Sequence, residues 1–126
     1  MARKLTHTHY MRDNVSNLQD LDISANLTTE ITNVENSDNI GIQLIWNGAA
    51  PSGEVFIEVS NDYEKNINPG TWTELDFGVP ILITGNSGNH IININLVPFS
   101  DLRLRYESTS GTGTMNAVLT MKTVGA

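Results

Sequence analysis

Residues 40–46 read Ile40-Gly41-Ile42-Gln43-Leu44-Ile45-Trp46, and residues 55–59 read Val55-Phe56-Ile57-Glu58-Val59. Both runs have a period of two. Ile40, Ile42, Leu44 and Trp46 share one face of a strand, and Val55, Ile57 and Val59 share one face of another. Asn47-Gly48 between them reads as a turn, and Asn61-Asp62 marks the end of the second run. Towards the N-terminus, Leu21, Ile23, Ala25 and Leu27 alternate with Asp22, Ser24 and Asn26, with a weaker strand pattern at Ile31 to Val34. Towards the C-terminus, Thr71 to Leu75 and Val79 to Ile83 read as short strands, Pro80 placing the latter at an edge or a strand start. Gly85 to Asn89 is a turn, and Ile92, Ile94 and Leu96 alternate with Asn93 and Asn95 until Pro98. The last pair is Leu102, Leu104 and Tyr106 against Met115, Ala117, Leu119 and Met121, with Ser108 to Gly113 read as a flexible hairpin connection.

No segment carries an apolar period of 3.6, so the pattern predicts an all-β chain. The expected architecture is a single antiparallel β-sandwich or jelly-roll-like domain of about eight strands. Its predicted core contains Ile23, Ile42, Leu44, Val55, Ile57, Val59, Ile92, Ile94, Leu102, Leu104 and Leu119. Residues 1–16 show no sustained apolar period and read as an extended N-terminal arm outside the core, leaving residues 17–126 as the β-sandwich domain.

The chain has 126 residues, the size of one domain, and no cysteine, so disulfides and thiolate metal sites are excluded. Only 17% of residues are charged, while Asn, Thr and Ser number 15, 13 and 9, types that favour turns and β surfaces over helix interiors. No apolar run approaches a membrane-spanning length, and the first residues lack a signal-peptide pattern, so a soluble protein with no membrane partner is expected. The net charge of -7 is unevenly spread: residues 1–12 hold Arg3, Lys4 and Arg12 and no acid, while the rest hold four bases and fourteen acids. Such an acidic body repels nucleic acid.

The runs Gln43-Leu44-Ile45-Trp46, Val59-Ser60-Asn61-Asp62-Tyr63, Gly70-Thr71-Trp72-Thr73, Leu102-Arg103-Leu104-Arg105-Tyr106 and Ser110-Gly111-Thr112-Gly113-Thr114-Met115-Asn116-Ala117 resemble small β-sandwich structural proteins of tailed bacteriophage virions. The likeness spans roughly residues 40–123 and rests on strand ends and turns. It implies a virion component of the capsid decoration, head-fibre or tail accessory type.

Candidate chemistry is sparse. Ser60 lacks the flanking glycines of a nucleophile elbow. Asp62 with Glu64, and Glu74 with Asp76, have the spacing of a carboxylate pair on one strand face, but fourteen acids on a small domain must fall close together somewhere. His7 and His9 would point the same way on an extended arm; two ligands do not make a metal site, and none is expected. No phosphate-binding loop precedes a helix, and no cofactor motif is present.

Two surfaces remain. Arg103 and Arg105 project side by side from one strand face, a local positive ridge suited to a subunit contact or to simple pairing with acids. Trp72, beside the Asn-rich loop from Tyr63, offers a stacking surface for a sugar, with Asp62, Tyr63 and Asn66 around it. Half-buried packing is the plainer reading of Trp72.

The favoured reading is a non-enzymatic structural subunit located in the virion, forming a homo-oligomer with itself and contacting other virion proteins. Arg3, Lys4, Tyr10, Met11, Arg12, Arg103 and Arg105 are its candidate contact residues. The alternative is a carbohydrate-binding adhesion module using the Tyr63 to Trp72 loop; a glycan-cleaving enzyme is a weaker third.

Overall fold

The computed structural model describes residues 3–95 and 97–125, and the side chains of residues 7–95 and 97–123. The fold is all-β: one antiparallel sheet of nine strands that curls into a half-barrel around a single apolar core. Two long strands, β5 (Asn39–Ser60) and β9 (Asp101–Gly125), run beside each other from Asn39 opposite Lys122 to Ser60 opposite Asp101. Extended, the 22 residues of β5 would reach about 73 Å, twice the roughly 36 Å width of a domain this size, so the pair has to bend.

The bend lies where the sequence suggested turns. Asn47-Gly48 does not reverse the chain, and Ser108 to Gly113 is not a flexible hairpin; both segments stay within continuous strands. Register shifts between Ala49 and Gly53 put one extra residue into each strand, a pair of bulges that accentuates the local twist. The inward set therefore changes parity along both strands. On β5 it passes from Ile40, Ile42, Leu44 and Trp46 to Val55, Ile57 and Val59; on β9 from Leu102, Leu104 and Tyr106 to Met115, Ala117 and Leu119. Glycine is required at Gly111, whose φ is 78° and where a Cβ would run into the Ala50 carbonyl oxygen. Beneath the bend, the buried Tyr106 ring presses its hydroxyl into the notch left by Gly53. That hydroxyl lacks a well-formed hydrogen bond, and burial pushes its pKa up while the Ser108 side chain pulls the other way.

The long strands serve both halves of the sheet. In one half, the C-terminal part of β9 and the N-terminal part of β5 are flanked by β1 (Arg3–Tyr10) and β8 (Ser87–Asn95). On the same side of β9 as β1, β2 (Leu21–Asp22) pairs with Met115 and Thr114 at the border of this half; in the other half, β3 (Leu27–Thr28) and β4 (Thr32–Asn33) line β9, while β6 (Thr73–Glu74) and β7 (Ile81–Ile83) line β5. All eleven residues predicted for the core are buried, joined by Met11, Leu21, Tyr106 and Met115. Leu96, also read as a strand position, lies outside the described residues.

Two expectations for the N-terminal region are corrected. Residues 3–10 form a regular edge strand, β1, paired from Arg3 opposite Gly125 to Tyr10 opposite Val118, and Met11 is 1% exposed. An edge strand draws its order from backbone pairing along one side, so it needs no apolar alternation to exist. The Leu21 to Leu27 run is two short strands with Ala25 exposed at the turn between them. The Asp22 carboxylate accepts from the Ser24 N–H at 2.9 Å and the Asn26 carbonyl from the Ser108 N–H at 2.8 Å, side-chain bonds that divert the backbone from a straight ladder.

Candidate functional site

The outward face at the second half of the long strands is where the sequence placed its ridge and its aromatic loop. Glu58 of β5 lies between Arg103 of β9 and Glu74 of β6 in the pairing register. Its carboxylate accepts from Arg103 Nε at 2.8 Å and from Arg105 Nε at 3.0 Å, while the Arg105 guanidinium also reaches Glu74 and Glu107. Three acids thus surround two bases. Of the two readings of Arg103 and Arg105, the pairing with acids is the one seen, because alternation on neighbouring strands sends Glu58, Glu74, Glu107 and both arginines to the same side. Burial works against the charge on Arg105, but its hydrogen bonds to Glu107, Glu58 and Glu74 outweigh this and raise its pKa. Arg105 also stacks over Phe56, and Arg103 over Trp72, each 4.2 Å from the ring centroid.

Although Glu58 faces outward, the arginines cover it to 8% exposure. Glu58→Gln keeps the shape but removes the charge that both guanidinium groups face. The expected loss is about 2–3 kcal/mol of unfolding free energy, somewhat under the roughly 3–5 kcal/mol of a fully buried pair because both arginine side chains keep about a quarter of their surface in water, read by urea denaturation. A change below about 0.5 kcal/mol would mean that solvent already screens the network.

The loop from Asn61 to Trp72 is held by its own polar groups. Asp62 accepts from the Ser60 hydroxyl at 2.7 Å, the Thr71 N–H at 2.7 Å and the Thr71 hydroxyl at 2.8 Å. These bonds, the Thr71 N–H foremost, lower the Asp62 pKa from 3.8 to about 2. Because the folded value is the depressed one, the clamp's contribution is complete above about pH 4 and lost as pH falls through 2. Exchange of the Thr71 amide, the one the carboxylate holds, should accordingly accelerate over that interval, and in Asp62→Asn it should already be fast at pH 7. A wild-type exchange rate flat from pH 5 to pH 2, after correction for intrinsic exchange, would show that the clamp does not order the loop.

The four residues considered for a glycan are spent largely on folding this loop. Trp72 is half-buried, donates its indole N–H to the Pro69 carbonyl at 3.0 Å and carries Arg103 on its ring. Tyr63 packs against it at 5.9 Å and 48°, and Asn66 sits at a φ of 65° in the turn closed by Glu64 and Asn68. The second carboxylate pair is engaged too: Asp76 accepts from the Gly78 N–H at 2.8 Å and Glu74 binds Arg105. Both line an open cavity of about 480 Å³ beside Phe56 and Phe77.

The N-terminal candidates are scattered. Tyr10 is 40% exposed beside Val118, whereas Met11 belongs to the core and is not available for a contact. Arg12 donates to the Asn17 carbonyl at 3.1 Å. Arg3 and Lys4 hold positions in β1, but their side chains lie outside the described residues. His7 and His9 pair with Met121 and Leu119, and among the described residues no three His, Cys, Asp or Glu side chains gather as a metal site.

One feature escaped the sequence reading. The strands β1 and β8, residues 39–47 of β5 and residues 114–125 of β9 contain no Asp or Glu, the acids nearest in register being Asp22, opposite Thr114, and Asp20, which accepts from the Asn116 side chain. Their bases are Arg3, Lys4 and Lys122, so the remaining chain holds four bases and all fourteen acids. The charge reversal visible at Arg12 is one part of a segregation that only strand pairing assembles.

No family model matches the chain, and no curated protein matches it in sequence. Among solved structures, the fold is similar to the SPBc2 prophage-derived protein YomS, with 13% identity, 95% of each chain covered and a TM-score of 0.50. It is also similar to a chain in the structure of infectious bursal disease virus, Gx strain, with 10% identity and a TM-score of 0.52, covering 96% of this chain and 32% of that one. These likenesses define an all-β fold shared at the level of architecture.

Proposed function

We propose that the chain is a non-enzymatic structural subunit of a phage particle, of the capsid decoration, head-fibre or tail accessory type, assembling with itself and with other virion proteins. The observation that carries the reading is the half-sheet whose β1, β5, β8 and β9 segments hold no acid: on a chain of net charge -7, its β8 side, across the sheet from Asp20 and Asp22, is where copies can meet with the fewest opposing carboxylates. The fold shared with a prophage-derived protein of matching extent supports the phage setting. The engaged state of Glu58, Asp62, Glu74 and Asp76 supports a structural rather than catalytic use of the acids.

The test is mass spectrometry and cryo-EM of particles purified from the phage that encodes the chain. The subunit should be present in stoichiometric, symmetry-related copies. Its absence from particles, with the protein abundant in the infected-cell lysate, would overturn the proposal.

A further inference from the structure

The two edges of that half-sheet differ. A strand edge leaves alternate N–H and C=O groups unpaired, and proteins blunt such edges with charge, proline, bulges or short length. At the β1 edge stand Arg3 and Lys4. The β8 edge has none of these devices. Its sequence, Ser87-Gly88-Asn89-His90-Ile91-Ile92-Asn93-Ile94-Asn95, carries no Asp, Glu, Lys, Arg or Pro. It pairs with β5 through nine consecutive positions without a register shift, and among the described residues it pairs with no other strand. Beside it lies exposed apolar surface: Ile91 is 63% exposed, and Val79 and Phe77 of the neighbouring loop are 73% and 36% exposed. An edge so long, regular and uncharged is a pairing surface.

We infer that the free edge of β8 pairs antiparallel with the β8 edge of a second copy, joining two half-sheets across a two-fold axis. This deepens the proposed structural role and rests on it for its biological setting. Charge selects the occupant. Most contacts between two copies of an acidic chain oppose carboxylates, whereas β8 meeting β8 brings no charged residues into register. A pairing centred on Ile91 is also self-complementary: Ile91 faces its own copy, Asn93 faces Asn89 and Asn95 faces Ser87.

The absence of cysteine makes the test clean. Directly opposed residues of an antiparallel pair have Cα atoms about 4.5–5.5 Å apart, within disulfide reach. In the full chain, Ile91→Cys should oxidise with copper-phenanthroline to a covalent dimer, while Thr8→Cys on β1 should stay monomeric under the same treatment. Sedimentation equilibrium of the wild type should show a dimer, with amides 87–95 gaining exchange protection as concentration rises. Ile91→Lys, and independently Asn93→Lys, should weaken dimerisation at least tenfold with an unchanged far-UV spectrum. A wild-type monomer at 100 μM, or cross-linking through Thr8→Cys as readily as through Ile91→Cys, would overturn the inference. A solution monomer found in the particle removes the β8 contact and leaves the virion role standing; a solution dimer missing from the particle does the reverse.

Discussion

Leu104→Ala should cost roughly 2–5 kcal/mol of stability, the range for truncating a buried leucine. Leu104 is 0% exposed on β9, faces Ile57 across the central strand pair and lies one position from the β3 contact at Arg105. Its backbone is tied as well: the N–H donates to the Thr29 hydroxyl at 2.9 Å, and the carbonyl accepts from the Thr29 N–H at 2.9 Å. The doubly held main chain cannot readily collapse into the space the side chain leaves, which places the loss in the upper half of that range. Urea denaturation monitored by tryptophan fluorescence measures it. A loss below 1 kcal/mol would mean that the two halves of the sheet close over the cavity.

Deleting residues 1–11 should destabilise the isolated protein by at least about 3 kcal/mol, the opposite of what a free arm would do. The deletion removes the eight paired positions of β1 and the buried Met11, whose N–H donates to the Ala117 carbonyl at 2.9 Å. Losing a buried methionine costs about 2–5 kcal/mol on its own, and each ladder hydrogen bond contributes roughly 0.5–1.5 kcal/mol net, with imperfect additivity. The cut also turns residues 118–125 of β9 into a new edge. Thermal and urea unfolding of the truncated chain report the loss. A midpoint within the error of the full-length protein would show that β1 is only loosely docked.

What was legible in the sequence follows from period and parity. Ile40 to Trp46, Val55 to Val59 and Leu102 to Tyr106 alternate because one side of each strand is dry, and transfer of every second side chain out of water is a local, additive force that leaves its period in the sequence. The all-β class and the eleven core positions needed nothing more. The switch of apolar residues from even to odd numbers was legible too, but not its meaning. A turn and a pair of bulges flip the parity alike, and Gly48 and Gly111 suit either; the choice of bulges was made by the partner strand, since β5 and β9 bend together.

The candidate sites divide in the same way. Composition alone established that the chain is acidic, free of cysteine and poor in catalytic motifs. Pairing register decided the rest: it brought Glu58, from 45 residues away, onto Arg103 and so turned an apparent basic ridge into an ion-pair network in which acids outnumber bases, and it gave the N-terminal segment an edge to dock on. Register also gathered four acid-free segments from across the chain, Tyr10 of the first lying opposite Val118 of the last, into one half-sheet whose β8 edge is left open. Local sequence determines which side chains avoid water, because that force acts residue by residue. Which strands lie side by side depends on closing long loops and on the summed pairing of whole ladders, and these contacts exist only once the tertiary structure has formed.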